Sequence, residues 1–229
     1  MCNRYKTPQL ERFSELMPGP LFPKWRPGIG PWGRGPFVRD RGAGRELVVG
    51  QWALIGDRDT RANSAPRMTN CARWESIATL RTFKGPWARK QRCIVPAEAF
   101  DYPNWESGRN VWWSFTRADG DLWALAGIYN DWTDPATGEV LPSYAMITQN
   151  CDGHPLLSRV HKHVDDLPDD QQDKRTVVPI EMTDIDVWLR GPVDEASDLV
   201  KLPPASLYVA GPTTASAPPG PGPVQASLI

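Results

Sequence analysis

No run of 18 or more apolar residues occurs in this 229-residue chain, so no segment reads as a membrane-spanning helix. The first residues carry Arg4 and Lys6 with no apolar stretch behind them, which is not the pattern of a secretory signal, and a cytoplasmic protein is expected. Cysteine is scarce. The 4 that exist (Cys2, Cys71, Cys93 and Cys151) form no CxxC pair and no dense framework, as in a reducing compartment. Histidine is scarcer still, at 3 residues, all between positions 154 and 163. No internal repeat is present, so solenoid architectures are excluded.

Net charge is also nearly absent, at -1. The cancellation hides an asymmetry: residues 1–110 hold 19 Lys+Arg against 10 Asp+Glu, net +9, and the remainder 7 against 17, net -10. Two readings stay open. The basic half faces a phosphate backbone while the acidic half faces away, or the two halves pair with each other across the fold.

With 40% hydrophobic and 23% charged residues, the chain has the composition of a globular protein with one sizeable core. Thr7-Pro8 resembles an N-cap with proline at the first helical position and predicts a helix through Leu10, Phe13, Leu16 and Met17. Residues 18–44, dense in Pro, Gly and Arg, read as a long loop. Short apolar runs bounded by turn residues predict strands at Glu46–Ile55, Arg92–Pro96, Val111–Thr116, Leu122–Tyr129, Ser143–Thr148 and Thr176–Ile180. Helical spacing marks Trp74–Phe83 and Thr183–Leu189, the latter with Thr183 and Asp186 as a capping box. The fold class is therefore α+β. A single domain is expected over 1–202, followed by a flexible Pro/Ala/Gly-rich tail over 203–229, in which Leu207–Val209 is a candidate last strand.

Cys2 directly follows the initiator methionine, and a small second residue permits removal of Met1. The chain would then begin with an α-amine and a thiol on adjacent carbons, with free pKa values of about 8 and about 8.5. That pair captures aldehydes: the amine forms an imine and the thiolate closes on it to give a thiazolidine. Taken alone, Cys2 is equally read as an accident of the start.

Three further segments accompany it: Thr69-Asn70-Cys71-Ala72-Arg73-Trp74-Glu75-Ser76, Gln91-Arg92-Cys93-Ile94-Val95-Pro96-Ala97 running on to Trp105, and Ser158-Arg159-Val160-His161-Lys162. With Met1-Cys2-Asn3-Arg4 they resemble, in order, the motifs of the SRAP family (SOS response-associated peptidases). The resemblance implies an open, barrel-like β-sheet core with a few short helices. It also implies an abasic-site sensor in single-stranded DNA that forms a thiazolidine crosslink through Cys2, with autoproteolytic removal of Met1, no cofactor, and action as a monomer associated with the nucleoid when DNA-bound.

Carried over residue by residue, Cys2 is the nucleophile, Arg4 and Arg73 hold phosphate, and His161 moves protons at the sugar oxygen. Single-strand binding also needs aromatic faces, for which Trp25, Trp32, Trp52 and Trp74 are candidates, Trp52 foremost. Two positions depart from the pattern. Cys71 stands where the family has asparagine, with Asn70 one step earlier, and Tyr102 stands where it has glutamate, with Asp101 one step earlier. In a strand, a one-residue shift reverses the face, so rescue by Asn70 or Asp101 requires a bulge or a non-strand backbone.

Two alternatives stand beside this reading. A degenerate member would keep single-stranded DNA binding and lose the chemistry. A metal-dependent hydrolase would use Cys151, His154, His161 and His163, whose spacing is compatible with zinc although no HExxH or paired CxxC accompanies it.

Overall fold

Large and small residues alternate along the longest apolar run in a way that demands burial on both sides. Trp123, Leu125 and Tyr129 share one face, and Ala124, Ala126 and Ile128 the other. The computed structural model, which describes residues 4–16, 25–60 and 68–213, folds this run as a strand with a different core on each face.

Among the described residues the strands are β1 (Arg4–Lys6), β2 (Gly28–Ile29), β3 (Arg34–Asp40), β4 (Arg45–Trp52), β5 (Cys71–Arg73), β6 (Arg92–Ala97), β7 (Ala99–Asn104), β8 (Val111–Arg117), β9 (Trp123–Thr133), β10 (Val140–Asn150), β11 (Arg175–Val177), β12 (Pro179–Ile180) and β13 (Tyr208–Pro212). The helices α1 (Lys84–Ala88), α2 (Ile185–Arg190) and α3 (Val193–Asp198) are short.

Strands β4, β3, β6, β9 and β10 pair successively, and β10 returns to β4 in parallel through Ser143↔Gln51 and Tyr144↔Trp52. The expected barrel-like core is thus present, and it is a closed ring of five strands, extended by β5 and β11 on β10 and by β12 on β9. Closure leaves few sheet edges to protect. Inside lie Phe37, Trp52, Cys93, Val95, Tyr129, Tyr144 and Met146, while Val38, Ile94, Ala124, Ala126, Ala145 and Ile147 face outward under the helices. The small outward alanines make room for Trp188 of α2, whose indole N–H donates to the Cys93 carbonyl at 2.9 Å.

A second, antiparallel sheet runs β13-β8-β7-β1-β2. β6 continues into β7 with Glu98 alone between them, so one extended segment passes from barrel to sheet; at that bend the Glu98 amide donates to the Lys6 carbonyl at 2.9 Å. In β1 the middle residue points inward. Tyr5 is fully buried, shares a hydroxyl–hydroxyl hydrogen bond of 2.6 Å with Tyr144, and meets Trp52 edge to face at 5.1 Å. Arg4 and Lys6 therefore project together to the opposite face.

Several local expectations change. The predicted helix after Thr7-Pro8 is a 3-10 turn over Leu10–Glu15, and Met17 lies outside the described residues. Thr7 caps no helix; its hydroxyl donates to the carbonyls of Arg26 and Pro27 at 3.0 and 3.2 Å. The loop expected over 18–44 contains β2 and β3. Gly35 reads as a turn signal, yet it is needed because a Cβ there would collide with the hydroxyls of Tyr5 and Tyr144. Pro36 is tolerated because β6 pairs with β3 only at Val38 and Arg39.

Trp74–Phe83 is a 3-10 turn over Trp74–Ser76 followed by linked turns, in which the Thr79 and Leu80 amides both donate to the Ser76 carbonyl. The regular helix begins later, with Pro86 in its first turn, where a missing N–H costs no intrahelical bond. The Thr183/Asp186 capping box does not form: Asp184 is the N-cap, and Asp186 instead pairs with Arg45 at 2.8 Å and Arg190 at 3.0 Å. Leu207–Val209 is strand from Tyr208, in a β13 that pairs with β8 over five residues to Pro212↔Trp113. Residues 214–229 lie outside the described residues.

Candidate functional site

β7 decides how the departures from the family pattern are resolved. Its pairing with β8 is continuous through Phe100↔Phe115, Asp101↔Ser114 and Tyr102↔Trp113, with no bulge. Asp101 and Tyr102 therefore face opposite ways. Asp101 shares the face of its cross-strand partner Arg4, and the two form an ion pair at 2.5 Å with side chains 1% and 13% exposed. The Arg4 guanidinium also lies 6.0 Å from the ring centre of Trp112. So Asp101 does not stand in for the displaced carboxylate. It positions Arg4, with its charge compensated.

Tyr102 points the other way, into the core, and is fully buried. Its hydroxyl accepts a hydrogen bond from the Val177 amide at 2.8 Å, and its ring meets His161 edge to face at 5.0 Å. The residue in the glutamate's position is thus a neutral aromatic that connects β7, β11 and the histidine.

His161 is held in an unusual conformation for a residue with a side chain, at φ 66. Its amide donates to the Pro103 carbonyl at 2.7 Å, and its Nε2 lies 2.8 Å from the Arg175 carbonyl. A carbonyl only accepts, so Nε2 carries the proton and Nδ1 keeps a lone pair. Burial pulls the pKa down to about 4, against the opposing pull of the Arg175 carbonyl. At neutral pH His161 is a neutral imidazole with a fixed tautomer, the form of a proton acceptor.

β5 pairs with β10 in parallel from Met146↔Cys71 to Thr148↔Arg73, which sends Cys71 into the same core as Tyr102. Asn70 precedes β5, on a bend, so its backbone is not bound by strand alternation. Its side-chain amide donates to the Cys71 sulfur at 3.5 Å. The asparagine one step early thus reaches the side of the residue that replaced it, without a bulge. Trp52 fixes this bend: its indole N–H donates to the Asn70 carbonyl at 2.8 Å. Since Trp52 is 0% exposed, its ring offers no face to a base; it positions Asn70.

Arg73 is half exposed and pairs with Asp173 at 2.7 Å. Asp173 also contacts Arg175 at 3.2 Å, and Arg175, with a side chain 5% exposed, pairs with Glu75 at 2.5 Å. Burial alone would raise the Glu75 carboxyl, but the Arg175 hydrogen bond and charge leave it below the usual range. Arg39 to Asp131 at 2.8 Å and Arg45 to Asp186 at 2.8 Å, like Arg73 to Asp173, join a base of the first half to an acid of the second, while Arg159 to Glu106 at 2.7 Å runs the other way. The charge asymmetry is therefore partly spent internally.

The other aromatic candidates differ in exposure from Trp52. Trp25, Trp32 and Trp74 are each half-buried, and Trp74 packs edge to face on Trp87 at 5.4 Å. Trp112, beneath Arg4, escaped the sequence reading; the signal was its place on the Pro103 row, across from β7. Glu75 and Arg175 were legible only as motif neighbours, because their pairing joins residues 100 apart.

The zinc alternative meets a geometric obstacle. The His154 Nδ1 accepts from the Leu156 and Leu157 amides at 3.2 and 3.0 Å, while its Nε2 donates to the Pro203 carbonyl at 2.9 Å. Both ring nitrogens are committed to backbone. The Cys151 thiol, pushed up to about 12 by burial, donates to the Leu157 carbonyl at 3.5 Å rather than offering a thiolate. Among the described residues no group of three His, Cys, Asp or Glu side chains is arranged to hold a metal ion.

Cys2 lies outside the described residues; the described candidates are Arg4 on Asp101 and, on the core side, Tyr102 with His161 against its ring and Cys71 in the same core cluster with Asn70 beside it.

A solved protein structure from Bordetella bronchiseptica is similar over 93% of this chain and 100% of its own length, at 31% identity and a TM-score of 0.83. A protein from Bacteroides thetaiotaomicron shares the fold at 21% identity and a TM-score of 0.66, covering 80% of this chain and 75% of its own. Abasic site processing protein HMCES from Pongo abelii is 27% identical over 169 residues, 59% of this chain. The match covers 46% of that protein, so the chain spans about half the length of this curated relative. Residues 1–211 match the family model described as SOS response associated peptidase, from the first residue through most of β13. On that match the chain belongs to the SRAP family.

Proposed function

We propose that this protein processes abasic sites by capturing their ring-opened aldehyde in single-stranded DNA through Cys2, after removal of Met1. The amine of Cys2 adds to the aldehyde carbon and the adduct loses one water to give an imine. The thiolate then adds to the imine carbon, the nitrogen takes a proton, and the thiazolidine ring closes. No oxidant or cofactor is required. Autoproteolytic release of Met1 is part of the same reading, because it supplies the free amine.

The observation that carries the proposal is the state of His161: a neutral imidazole with its proton fixed on Nε2 and its Nδ1 lone pair available. Such a group suits the proton transfers of imine formation and sugar ring opening. Tyr102 in place of glutamate removes a carboxylate from that relay, so capture is expected to be slower than with the full family pattern. The name of the relative HMCES supports the substrate class.

Intact-mass measurement tests the proposal. The purified protein should lack Met1, and incubation with an abasic single-stranded oligonucleotide should give a species whose mass is protein plus oligonucleotide minus one water. Retention of Met1 on the bulk of the protein, together with no such species, would exclude this chemistry.

A further inference from the structure

Two three-residue strands flank the end of β10, and each carries part of the candidate site. β5 pairs with β10 in parallel up to Thr148↔Arg73, and β11 pairs with its other edge from Thr148↔Val177 to Asn150↔Arg175. Asn70, Cys71 and Arg73 come with the β5 segment. β11 holds His161 through the Arg175 carbonyl and Tyr102 through the Val177 amide. How the two halves of the site stand to each other therefore depends on what fixes β5 to β11 across β10.

The strand ladders alone fix this weakly. Each is three residues long, and Arg175 sits on the last rung of its own, where backbone pairing opens most easily. Asp152 holds the turn ahead of β11 by accepting from the Asp173 and Lys174 amides at 2.9 and 2.8 Å, but these bonds do not reach the β5 side. Two ion pairs do cross. Arg73–Asp173 joins side chains that are each about half exposed, a setting in which a pair contributes little.

Glu75–Arg175 is of another kind. Glu75 stands in the 3-10 turn that follows β5, and its two oxygens accept from both terminal nitrogens of Arg175, at 3.0 and 2.5 Å. Its Oε1 also accepts from the Asn150 amide at 3.4 Å, while the Arg175 guanidinium donates to the Thr148 carbonyl at 3.1 Å. The pair thus bridges the end of β10 and is fastened to it on the way. The Arg175 side chain is 5% exposed, and its other carboxylate partner among the described residues is Asp173 at 3.2 Å. Without Glu75, this nearly desolvated cation would be left to an acid on its own side of β10.

We propose that Glu75 is a positioning residue for His161, acting through Arg175: the two-oxygen pair locks β11 to the β5 segment, so that the Arg175 carbonyl stays on His161 Nε2 and the imidazole keeps its place relative to Asn70 and Arg73. Its effect on aldehyde capture rests on the reading of Cys2 as the capturing residue; its effect on the imidazole does not.

Proton NMR of the His161 ring N–H, assigned by its loss in His161→Gln, reads the imidazole directly, because such a proton is seen only where a hydrogen bond shields it from exchange with water. At neutral pH the parent should show it and Glu75→Ala should lose it. Glu75→Gln, with the same reach and one accepting oxygen, should retain it. Ile94→Ala, which weakens the outward core from β6, should retain it too and so separates positioning from loss of stability alone. If Glu75→Ala fails to fold, Glu75→Asp takes its place: it keeps the charge, falls one methylene short of Arg175 and should also lose the signal. With an abasic single-stranded oligonucleotide at saturation, capture in the same variant should slow on the order of tenfold, as misplacement of a reacting group implies. Affinity for an oligonucleotide carrying a tetrahydrofuran residue instead should not weaken, because Arg4 and Arg73 remain. A ring N–H signal absent from the parent, or unchanged in Glu75→Ala and Glu75→Asp, overturns the proposal whatever Cys2 does. If the signal is lost as stated while neither parent nor variant ever captures an abasic oligonucleotide, the positioning of His161 stands and the reading of Cys2 falls.

Discussion

His161 and Tyr102 meet edge to face with ring centroids 5.0 Å apart, and each is tied to β11 by a backbone hydrogen bond, His161 to the Arg175 carbonyl and Tyr102 to the Val177 amide. The histidine's tautomer and the tyrosine's orientation are therefore set by one three-residue strand. Tyr102→Phe keeps the ring but strands the buried Val177 N–H, which should cost about 1–3 kcal/mol. Chemical denaturation should show that loss. Tyr102→Glu restores the family's carboxylate and should speed aldehyde capture while lowering stability further, a split that a purely structural tyrosine would not produce.

The pH dependence of stability follows from His161. Its folded pKa of about 4 lies below the ordinary value of about 6.5, so on acidification the unfolded chain binds a proton before the folded one. Stability should be flat above about pH 7 and fall between about 6.5 and 4, by up to about 3 kcal/mol from this group. Urea melts across that window should show the slope in the parent and a shallower one in His161→Gln. Capture itself should rise with pH toward the Cys2 amine pKa of about 8 and show no inflection near 6.5.

Arg4 and Asp101 form a nearly desolvated pair, so removing one partner should hurt more than removing both. Asp101→Asn leaves a guanidinium with a 13% exposed side chain beside a neutral amide and should cost about 3 kcal/mol. The double variant Arg4→Met/Asp101→Leu should recover much of that in a double-mutant cycle. It should also weaken DNA binding if Arg4 holds phosphate. Equal stability losses for the single and double variants would contradict the account of the pair.

Asp173 occupies one nitrogen of the Arg73 guanidinium at 2.7 Å. Both side chains are about half exposed, so the pair is weak and DNA phosphate should displace it readily. Asp173→Asn should raise affinity for single-stranded DNA a few-fold at low salt. Because phosphate binding releases counterions, the gain should shrink as salt is added.

Much of this fold is written locally. The strand expected at Leu122–Tyr129 was legible as an apolar run bounded by turn residues, but its continuation through Asn130 and Asp131 to Thr133 was not. The barrel was expected only from the family resemblance, and its closure rests on the long-range pairing of β10 with β4. What the sequence concealed are places where one residue serves a distant neighbour. Gly35 breaks the pattern of β3 because two tyrosine hydroxyls from β1 and β10 need its space. Asp186 looks like a capping residue, yet its partner Arg45 is 141 positions away. At the site, alternation correctly separated Asp101 from Tyr102, and the continuous register of β7 settled which one faces His161. Asn70 was harder. Its recovery depends on a bend fixed by the Trp52 indole, and that contact has no local signature. Trp52 itself reads as a surface aromatic only if its neighbours in space are unknown.

The most direct test of the account is the yield of denaturation-resistant adduct between the protein and an abasic single-stranded oligonucleotide, followed over time on a denaturing gel. The account predicts a slow adduct in the parent that is absent in Cys2→Ala, undiminished in Cys71→Ala, and faster in Cys71→Asn/Tyr102→Glu, where acid-base help is worth on the order of 10²-fold. An adduct that persists in Cys2→Ala, or one that forms only in the restored double variant, would contradict it.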